Sequence, residues 1–513
     1  MLISICTALN LLVVATRSPV LLPEPAPDLR AFLSADPELT LGHRVVQLAE
    51  SACAMATAHG VDPQLACAEL DAHAPSQVSP ELAARTVIAL TLAFDLVRPL
   101  APESMDSALR RVLEALAGTD GDEFLFRALP AGGEYWSLIG ALEHYRIIVD
   151  SGGFLPVSKS AMKAKLQGEH DGIVVLRARL HQEDPAVGGD ADPLYGDDVV
   201  DGLRRARSRY QLEPQQPPKR QLDRSLLDAL AVPAETRVLE LTRALRALRR
   251  SERWQSPYHV LVNLPEFIGR VRDADRTVHS FAIVAGSRGG GGMVNATPTL
   301  TSKIRTIIFN PQWVVPKRIF RKEMMSEYAG DLPPETDEAA FEAFWEDKGY
   351  ELHGRTEKSR YLRLPPGPRN PLGKVKLLFE NRHSVYLHDT PSKKLFGKAR
   401  RAFSHGCMRV EGPVALAEVL LRRDGTWPDA VEARVLEHWE ETPIHLIQPV
   451  PLYVEYITVV SNPESGSPGA VRFLWDVYGR YTEKARNRRG ATSHADGDVG
   501  VLPSGGTHQL RRR

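Results

Sequence analysis

Hydrophobic positions change their period near residue 253, from about 3.6 to 2, and this change divides the chain. Upstream, SPELAARTVIALTLAFDLVRPL (79–100) opens with Ser79 as a cap and Pro80 at the first helical position, then runs densely apolar. PESMDSALRRVLEAL (102–116) repeats that grammar, and GGEYWSLIGALEHYRIIV (132–149) adds a helix with aromatic anchors. GIVVLRARLHQ (172–182), YGDDVVDGLRRARSRYQLEP (195–214) and DRSLLDALAVP (223–233) predict three shorter amphipathic helices, and AETRVLELTRALRALRR (234–250) predicts one long one. Downstream, YHVLVNLPEFIGRV (258–271) alternates as a strand, RDAD turns, and RTVHSFAIVAG (276–286) returns as its partner. Pro265 inside the first of these predicts an edge or bulged strand. IRTIIFNPQWVVP (304–316) and KVKLLFENRHSVYLHD (374–389) continue the pattern. Between them, KRIFRKEMMSEYAGDLPPETDEAAFEAFWEDKGYELHG (317–354) is charged and aromatic, and a connection that long between strands predicts a lid or binding loop.

These textures predict an α+β multidomain chain. A helical N-terminal scaffold (25–154), a three-helix module (155–233) and a connecting helix (234–252) precede a mainly antiparallel β-sandwich-like domain (253–465) with a lid insertion (317–362). The polar, glycine-rich and basic stretch from 466 to 513 reads as a largely disordered extension. The order of parts in 155–233 resembles a three-helix peptidoglycan-binding module, with Arg209-Tyr210 where that module has a Phe-Gln pair. The first 24 residues read as an export leader. Their apolar run suits a signal-peptide core and is too short for a membrane span, although no Lys or Arg precedes it. No other stretch is long and apolar enough to span a membrane. Lys plus Arg equals Asp plus Glu at 64 each, so no overall field points to nucleic acid or an acidic membrane.

The chain has 4 cysteines, too few for a disulfide scaffold, and no CxxC pair suggests zinc. Cys6 lies in the leader. Cys53 and Cys67 sit in an alanine-rich helical region, where buried unpaired thiols are the expectation and a disulfide is the alternative. Cys407, in AFSHGCMRVEGP (402–413), has the distinctive setting. A thiol becomes a nucleophile when a histidine or a helix N-terminus favours its thiolate. EGPVALAEVLLRR (411–423) predicts a helix whose start would lie close after Cys407. Gly406 permits a sharp turn, and the backbone amides of Gly406 and Cys407 suit an oxyanion hole. His388, ending a strand, is the candidate general base. His405, two residues before the thiol on the same face of an extended segment, would support it. His383 falls in a turn and reads as solvated.

HDTPSKKLFGKARRAFSHGCMRV (388–410) is similar to the signature of the L,D-transpeptidases of bacterial cell-wall synthesis. His388, Ser404, His405, Gly406, Cys407 and Arg409 fill that signature without a gap. PPGPRNPLGKVKLLF and IIFNPQWVVP resemble flanking stretches of the larger members, which join a helical scaffold, a peptidoglycan-binding module and a lidded catalytic domain. The resemblance implies that Cys407 attacks the carbonyl of the third residue of a tetrapeptide stem while His388 takes the thiol proton. D-alanine leaves, and the amine of a second stem resolves the thioester as a 3→3 cross-link, with no metal, ATP or other cofactor. Arg409 would hold a stem carboxylate, Ser404 the neighbouring backbone, and Tyr386 would line the donor site beside His388. Asp389 is a further substrate-binding candidate beside His388; because adjacent strand residues face opposite sides, a backbone carbonyl rather than Asp389 is the expected partner of the imidazole. Peptidoglycan stems are the implied partners, glycan strands those of the 155–233 module, and the periplasm or cell envelope the implied location. Two other uses of the constellation remain open. The same acyl-enzyme could serve a protein lysine, a D-amino acid or water, and the domain could be a non-catalytic peptidoglycan-binding scaffold. A papain-like protease would place its nucleophile before its histidine, the reverse of the order here.

Overall fold

The computed structural model describes residues 132–212, 220–288, 295–354, 356, 359–427, 438–462 and 470–481, with Pro130 and scattered positions between Ala49 and Thr86. The leader, the residues from 482 onward and most of the helices expected at 79–100 and 102–116 lie outside the described residues.

The described helical part begins with α1 (Gly133–Asp150). Three helices follow, α2 (Asp171–His181), α3 (Asp197–Arg209) and α4 (Arg224–Leu230), and then α5 (Ala234–Arg249). Local chemistry sets their starts. The His170 imidazole accepts the Gly172 N–H at 2.9 Å ahead of α2, and the Asp223 carboxylate accepts the Leu226 N–H at 3.0 Å ahead of α4. The apolar faces of all five helices meet in one core with Tyr135, Leu142, Leu176, Leu203, Leu227 and Leu245 buried in it. Cys53 and Cys67 reach the same core and form a disulfide, which corrects the expectation of unpaired thiols. Their Cα atoms lie 5.9 Å apart, inside the range a disulfide requires.

The β part is one nine-stranded sheet in the order β10-β3-β11-β9-β8-β4-β12-β1-β2, and a further β2–β3 pairing brings its ends together. The sheet therefore closes on itself, which corrects the sandwich-like expectation. Its inward residues, among them Val260, Ile283, Ile307, Leu377, Leu387 and Met408, form a single core with helix α7 (Pro413–Asp424). β1 (Tyr258–Asn263) and β2 (Ile268–Asp273) are separate strands of a hairpin. Pro265 lies in their turn rather than inside a strand, and Phe267, at φ 58°, reverses the chain. β3 (Arg276–Gly286) is followed by β4 (Leu300–Phe309) and the two-residue β5 (Trp313–Val314). β8 (Val375–Phe379), β9 (Leu387–His388), β10 (Ala402–Ser404), β11 (Met408–Val410) and β12 (Thr442–Glu455) complete the sheet. Most pairings are antiparallel; β1–β12, β3–β10 and β9–β11 are parallel.

The insertion carries its own core. A helical stretch with a π turn at Phe320–Met324, helix α6 (Glu338–Asp347) and the strands β6 (Glu351–His353) and β7 (Tyr361–Leu364) enclose Phe320, Phe341, Trp345 and Leu362. β7 pairs with β5, which roots this unit in the main chain path after β4. Beyond β12 the chain leaves the closed sheet. β13 (Val459–Ser461) and β14 (Val471–Phe473) form a hairpin whose Val459, Val471 and Phe473 enter the helical core. Within the polar extension expected from residue 466, residues 470–481 are described and carry β14, with Tyr478 buried.

Candidate active site

The turn between β10 and β11 presents Cys407, and its shape depends on glycine. Gly406 has φ 122°, a conformation that side chains oppose. The Ser404 hydroxyl braces the turn from inside, donating to the Cys407 carbonyl at 2.5 Å and accepting the Gly406 N–H at 3.1 Å. From β3's end, Gly286 approaches so closely that a Cβ there would lie 1.9 Å from the Asn295 carbonyl oxygen. Thr297 ties both approaches together. Its hydroxyl donates to the Gly406 carbonyl at 2.8 Å and accepts the Gly286 N–H at 2.8 Å. Tyr478 closes the set, accepting the Thr297 N–H at 3.1 Å and donating to the Gly286 carbonyl at 2.9 Å. Neither Thr297 nor Tyr478 was visible as a site residue in the sequence. Thr297 follows a glycine-rich loop, and Tyr478 belongs to an aromatic run, FLWDVYGRY, that the polar tail beyond it obscured.

Parallel pairing of β9 with β11 sets Leu387 against Met408 and His388 against Arg409, which brings the two halves of the constellation to one end of the sheet. Tyr386 and His388 share a face, with ring centroids 5.5 Å apart. The Tyr386 hydroxyl hydrogen-bonds to the Cys407 thiol, and the indole of Trp313 hydrogen-bonds to that hydroxyl. Lys376, opposite His388 in the β8–β9 register, rests its ammonium 4.3 Å from the Tyr386 ring centroid. Burial pushes the Cys407 thiol up from its ordinary range, against the opposing pull of Tyr386, Lys376 and Arg409. Burial, aided by the Arg409 charge, pushes His388 down to about 3, so its imidazole is neutral. Its Nδ1 is buried without a close partner among the described residues, and the Asp389 backbone is the hydrogen-bonding group that acts on the ring. Arg409 meets the Thr390 hydroxyl at 3.5 Å.

Three expectations about this region change. β11 follows Cys407 directly and α7 begins only at Pro413, so the helix N-terminus is too remote to act on the thiol, since a helix end acts over its last turn. His405 does not share a face with Cys407 because Gly406 breaks the extended run. Its exposed imidazole lies 3.0 Å from Glu323 of the lid's π turn. The Asp389 carboxylate does not face the site. It accepts the Lys374 N–H at 2.9 Å and the Thr390 N–H at 2.7 Å and pairs with Lys393. The Gly406 amide is taken by Ser404, so of the two amides expected at the oxyanion it is the engaged one. His383 is exposed in its turn. Among the described residues no group of His, Cys, Asp and Glu has the arrangement of a metal site, and no helix is long and apolar enough to cross a membrane.

A thiol, a neutral imidazole and a guanidinium thus lie together at one end of the closed sheet. Residues 257–435 match the model of the YkuD L,D-transpeptidase catalytic domain, a span that includes Cys407, His388, Tyr386 and Arg409 but not Tyr478. A curated protein of Haemophilus influenzae named "Putative L,D-transpeptidase" is 27% identical over 229 residues, 43% of this chain and 44% of that relative. The match thus takes in less than half the length of that relative. Among solved structures, an L,D-transpeptidase from Mycobacterium smegmatis aligns at 11% identity and a TM-score of 0.20, covering 39% of this chain and 58% of its own. The L,D-transpeptidase (residues 123–326) of Xylanimonas cellulosilytica aligns at 13% identity and a TM-score of 0.18, covering 57% of this chain and 97% of its own. The match to the YkuD L,D-transpeptidase catalytic domain is thus confined to residues 257–435, most of the closed sheet with its insertion.

Proposed function

We propose that the chain is an exported enzyme that remodels peptidoglycan through a Cys407 thioester. The observation that carries the reading is the convergence of Cys407, His388, Tyr386 and Arg409 through the β9–β11 pairing, inside the matched domain. With Cys407 raised and His388 lowered, the resting pair is a neutral thiol and a neutral imidazole. His388 therefore acts as general base during attack rather than holding a preformed ion pair. Cys407 Sγ attacks the carbonyl of the third stem residue, and the proton passes through His388 to the departing amine of D-alanine. The tetrahedral oxyanion takes the Cys407 N–H, because Ser404 already holds that of Gly406. Arg409, which forms no ion pair among the described residues, receives a stem carboxylate. The side-chain amine of a second stem then displaces the thiol, giving a 3→3 cross-link and restoring Cys407. No metal or cofactor takes part, since one acyl bond replaces another.

The lid covers the donor stem and favours amine over water, and its Glu323 contact with His405 supports that role. The 155–233 module presents glycan strands to the catalytic domain. The Cys53–Cys67 disulfide supports an oxidising compartment, and hence the periplasm or cell envelope. Incubation of the whole chain with disaccharide-tetrapeptides, read by mass spectrometry, tests the reading. Dimers lacking one D-alanine are expected, and Cys407→Ala should form none while keeping a normal melt. Dimers from Cys407→Ala would overturn it, as would unchanged stems with the wild-type enzyme.

A further inference from the structure

The thiol needs a positive neighbour, and the usual suppliers are absent. The His388 imidazole is neutral, the His405 ring is turned to Glu323, and α7 begins beyond β11. What remains beside Cys407 is the Tyr386 hydroxyl and two cations on different strands, Lys376 of β8 and Arg409 of β11. Lys376 is partly buried, sits across the register from His388 and packs its ammonium on the ring whose hydroxyl touches the thiol. It forms no ion pair among the described residues; Glu441 is the carboxylate in its electrostatic range. An ammonium this deep with no carboxylate in contact is costly unless an anion forms beside it.

We propose that Lys376 is a positioning residue for the nucleophile, the fixed charge that stabilises the Cys407 thiolate as it forms, with Tyr386 as its hydrogen-bond donor. Arg409 is left for the substrate, because it sits on the strand that leads away from the thiol and, among the described residues, hydrogen-bonds to the Thr390 hydroxyl without forming an ion pair. Lys376 packs against the Tyr386 ring, and the Tyr386 hydroxyl hydrogen-bonds to the sulfur. The arrangement lowers the cost of the sulfur anion as the neutral resting thiol ionises, and again when the tetrahedral intermediate formed by the incoming amine collapses and expels the thiolate.

This assignment rests on Cys407 being the nucleophile, but its test needs no peptidoglycan. Iodoacetamide reacts with the thiolate alone, the sulfur displacing iodide, so its rate against pH reads the thiol directly. Under this proposal, Lys376→Met alkylates about tenfold more slowly at pH 7.5, with the midpoint of the profile displaced upward by about one pH unit. Lys376→Arg, which keeps the charge, should recover the wild-type midpoint, and Lys376→Gln serves where the Met variant does not keep the native melt. An unchanged midpoint in the neutral variants would overturn the proposal. A raised KM for the stem with an unchanged midpoint would likewise overturn it, and assign Lys376 to the substrate carboxylate. Failure of the wild-type enzyme to make dimers would remove the transpeptidase reading and leave this comparison intact.

Discussion

Thr297 holds two backbone groups that no other described side chain reaches, the Gly406 carbonyl and the Gly286 N–H. Thr297→Val keeps the shape and removes the hydroxyl, so it leaves both groups buried without a partner. The expected cost is about 1–3 kcal/mol in urea unfolding. Cross-linking should fall further than that destabilisation accounts for, because the Cys407 turn loosens. A variant of wild-type stability and activity would remove Thr297 from the support of the turn. Protonation provides a second prediction at this scale. His59, His259 and His388 are held neutral by burial, pushed from 6.5 down to about 4, 4 and 3. The unfolded chain binds these protons near pH 6.5 and the folded chain does not, so stability rises with pH across this window. It is fully present above pH 6.5 and lost as pH falls toward 4. Melting temperature should drop steadily between pH 6.5 and 5, above the range where carboxylates titrate, and His259→Gln should shallow that slope. A flat profile would contradict the buried neutral assignments. Residue identity carried much of this site. Cys407, His388 and Arg409 could be singled out because they fill the L,D-transpeptidase signature that this stretch resembles. Lys376, Thr297 and Tyr478 could not, because only strand register and a returning C-terminal segment bring them to the thiol.

At the scale of elements, the lid is a small unit with an aromatic centre. Trp345 lies amid Phe320, Tyr328, Phe341, Phe344 and Tyr350, with ring centroids 5.2–6.2 Å away. Trp345→Ala should cost the lid about 3–5 kcal/mol, more than a unit of this size can lose and stay closed. The closed sheet has a separate core and should keep its melt. We expect faster proteolysis and amide exchange within 317–362, and a product mixture shifted from dimers toward tripeptides. An unchanged dimer-to-tripeptide ratio with a demonstrably open lid would separate the lid from water exclusion. The lid was legible as an interruption of the strand pattern, and α7 as a helix behind Pro413, since both rest on local chemistry. β12 was not. Its Pro443, Pro449 and Pro451 argue against a strand, yet it pairs with β4 and β1, accommodating the prolines with a register shift between His445 and Val450. Closure of the sheet was equally hidden: the β2–β3 hairpin was expected at its RDAD turn, but it joins the sheet's ends only through pairings of segments distant in sequence, such as β1 with β12 and β9 with β11.

For the whole molecule, the question is what fixes the helical module to the catalytic sheet. The chain answers by passing back. β14 carries Phe473 into the helical core, where its ring lies 5.4 Å from Tyr145 and 6.1 Å from Tyr210. Both tyrosines donate to the buried Glu183, and Arg179 pairs with it at 2.7 Å. These contacts hold the Glu183 carboxyl down to about 2 despite its burial. Gln211 adds a polar tie, accepting the Trp475 N–H and donating to the Pro265 carbonyl, both at 2.8 Å. Segments expected to be a disordered tail and an independent module therefore share one core. The reading failed there because the short V-R-F strand is adjacent to a long polar stretch that dominates composition. Phe473→Ala should cost about 3–5 kcal/mol, since it opens a cavity and admits water to a buried carboxylate. Calorimetry should show more than a lower melting temperature. With the joint weakened, the helical part and the sheet should unfold in two resolved transitions where the wild type shows one, and Tyr478, held from the same segment, should release Thr297 and slow cross-linking. Phe403→Ala, at an exposed ring on β10, supplies the control that should leave the transition whole. If Phe473→Ala unfolds in one transition at the wild-type temperature, the helical module is joined to the sheet by something other than this hairpin.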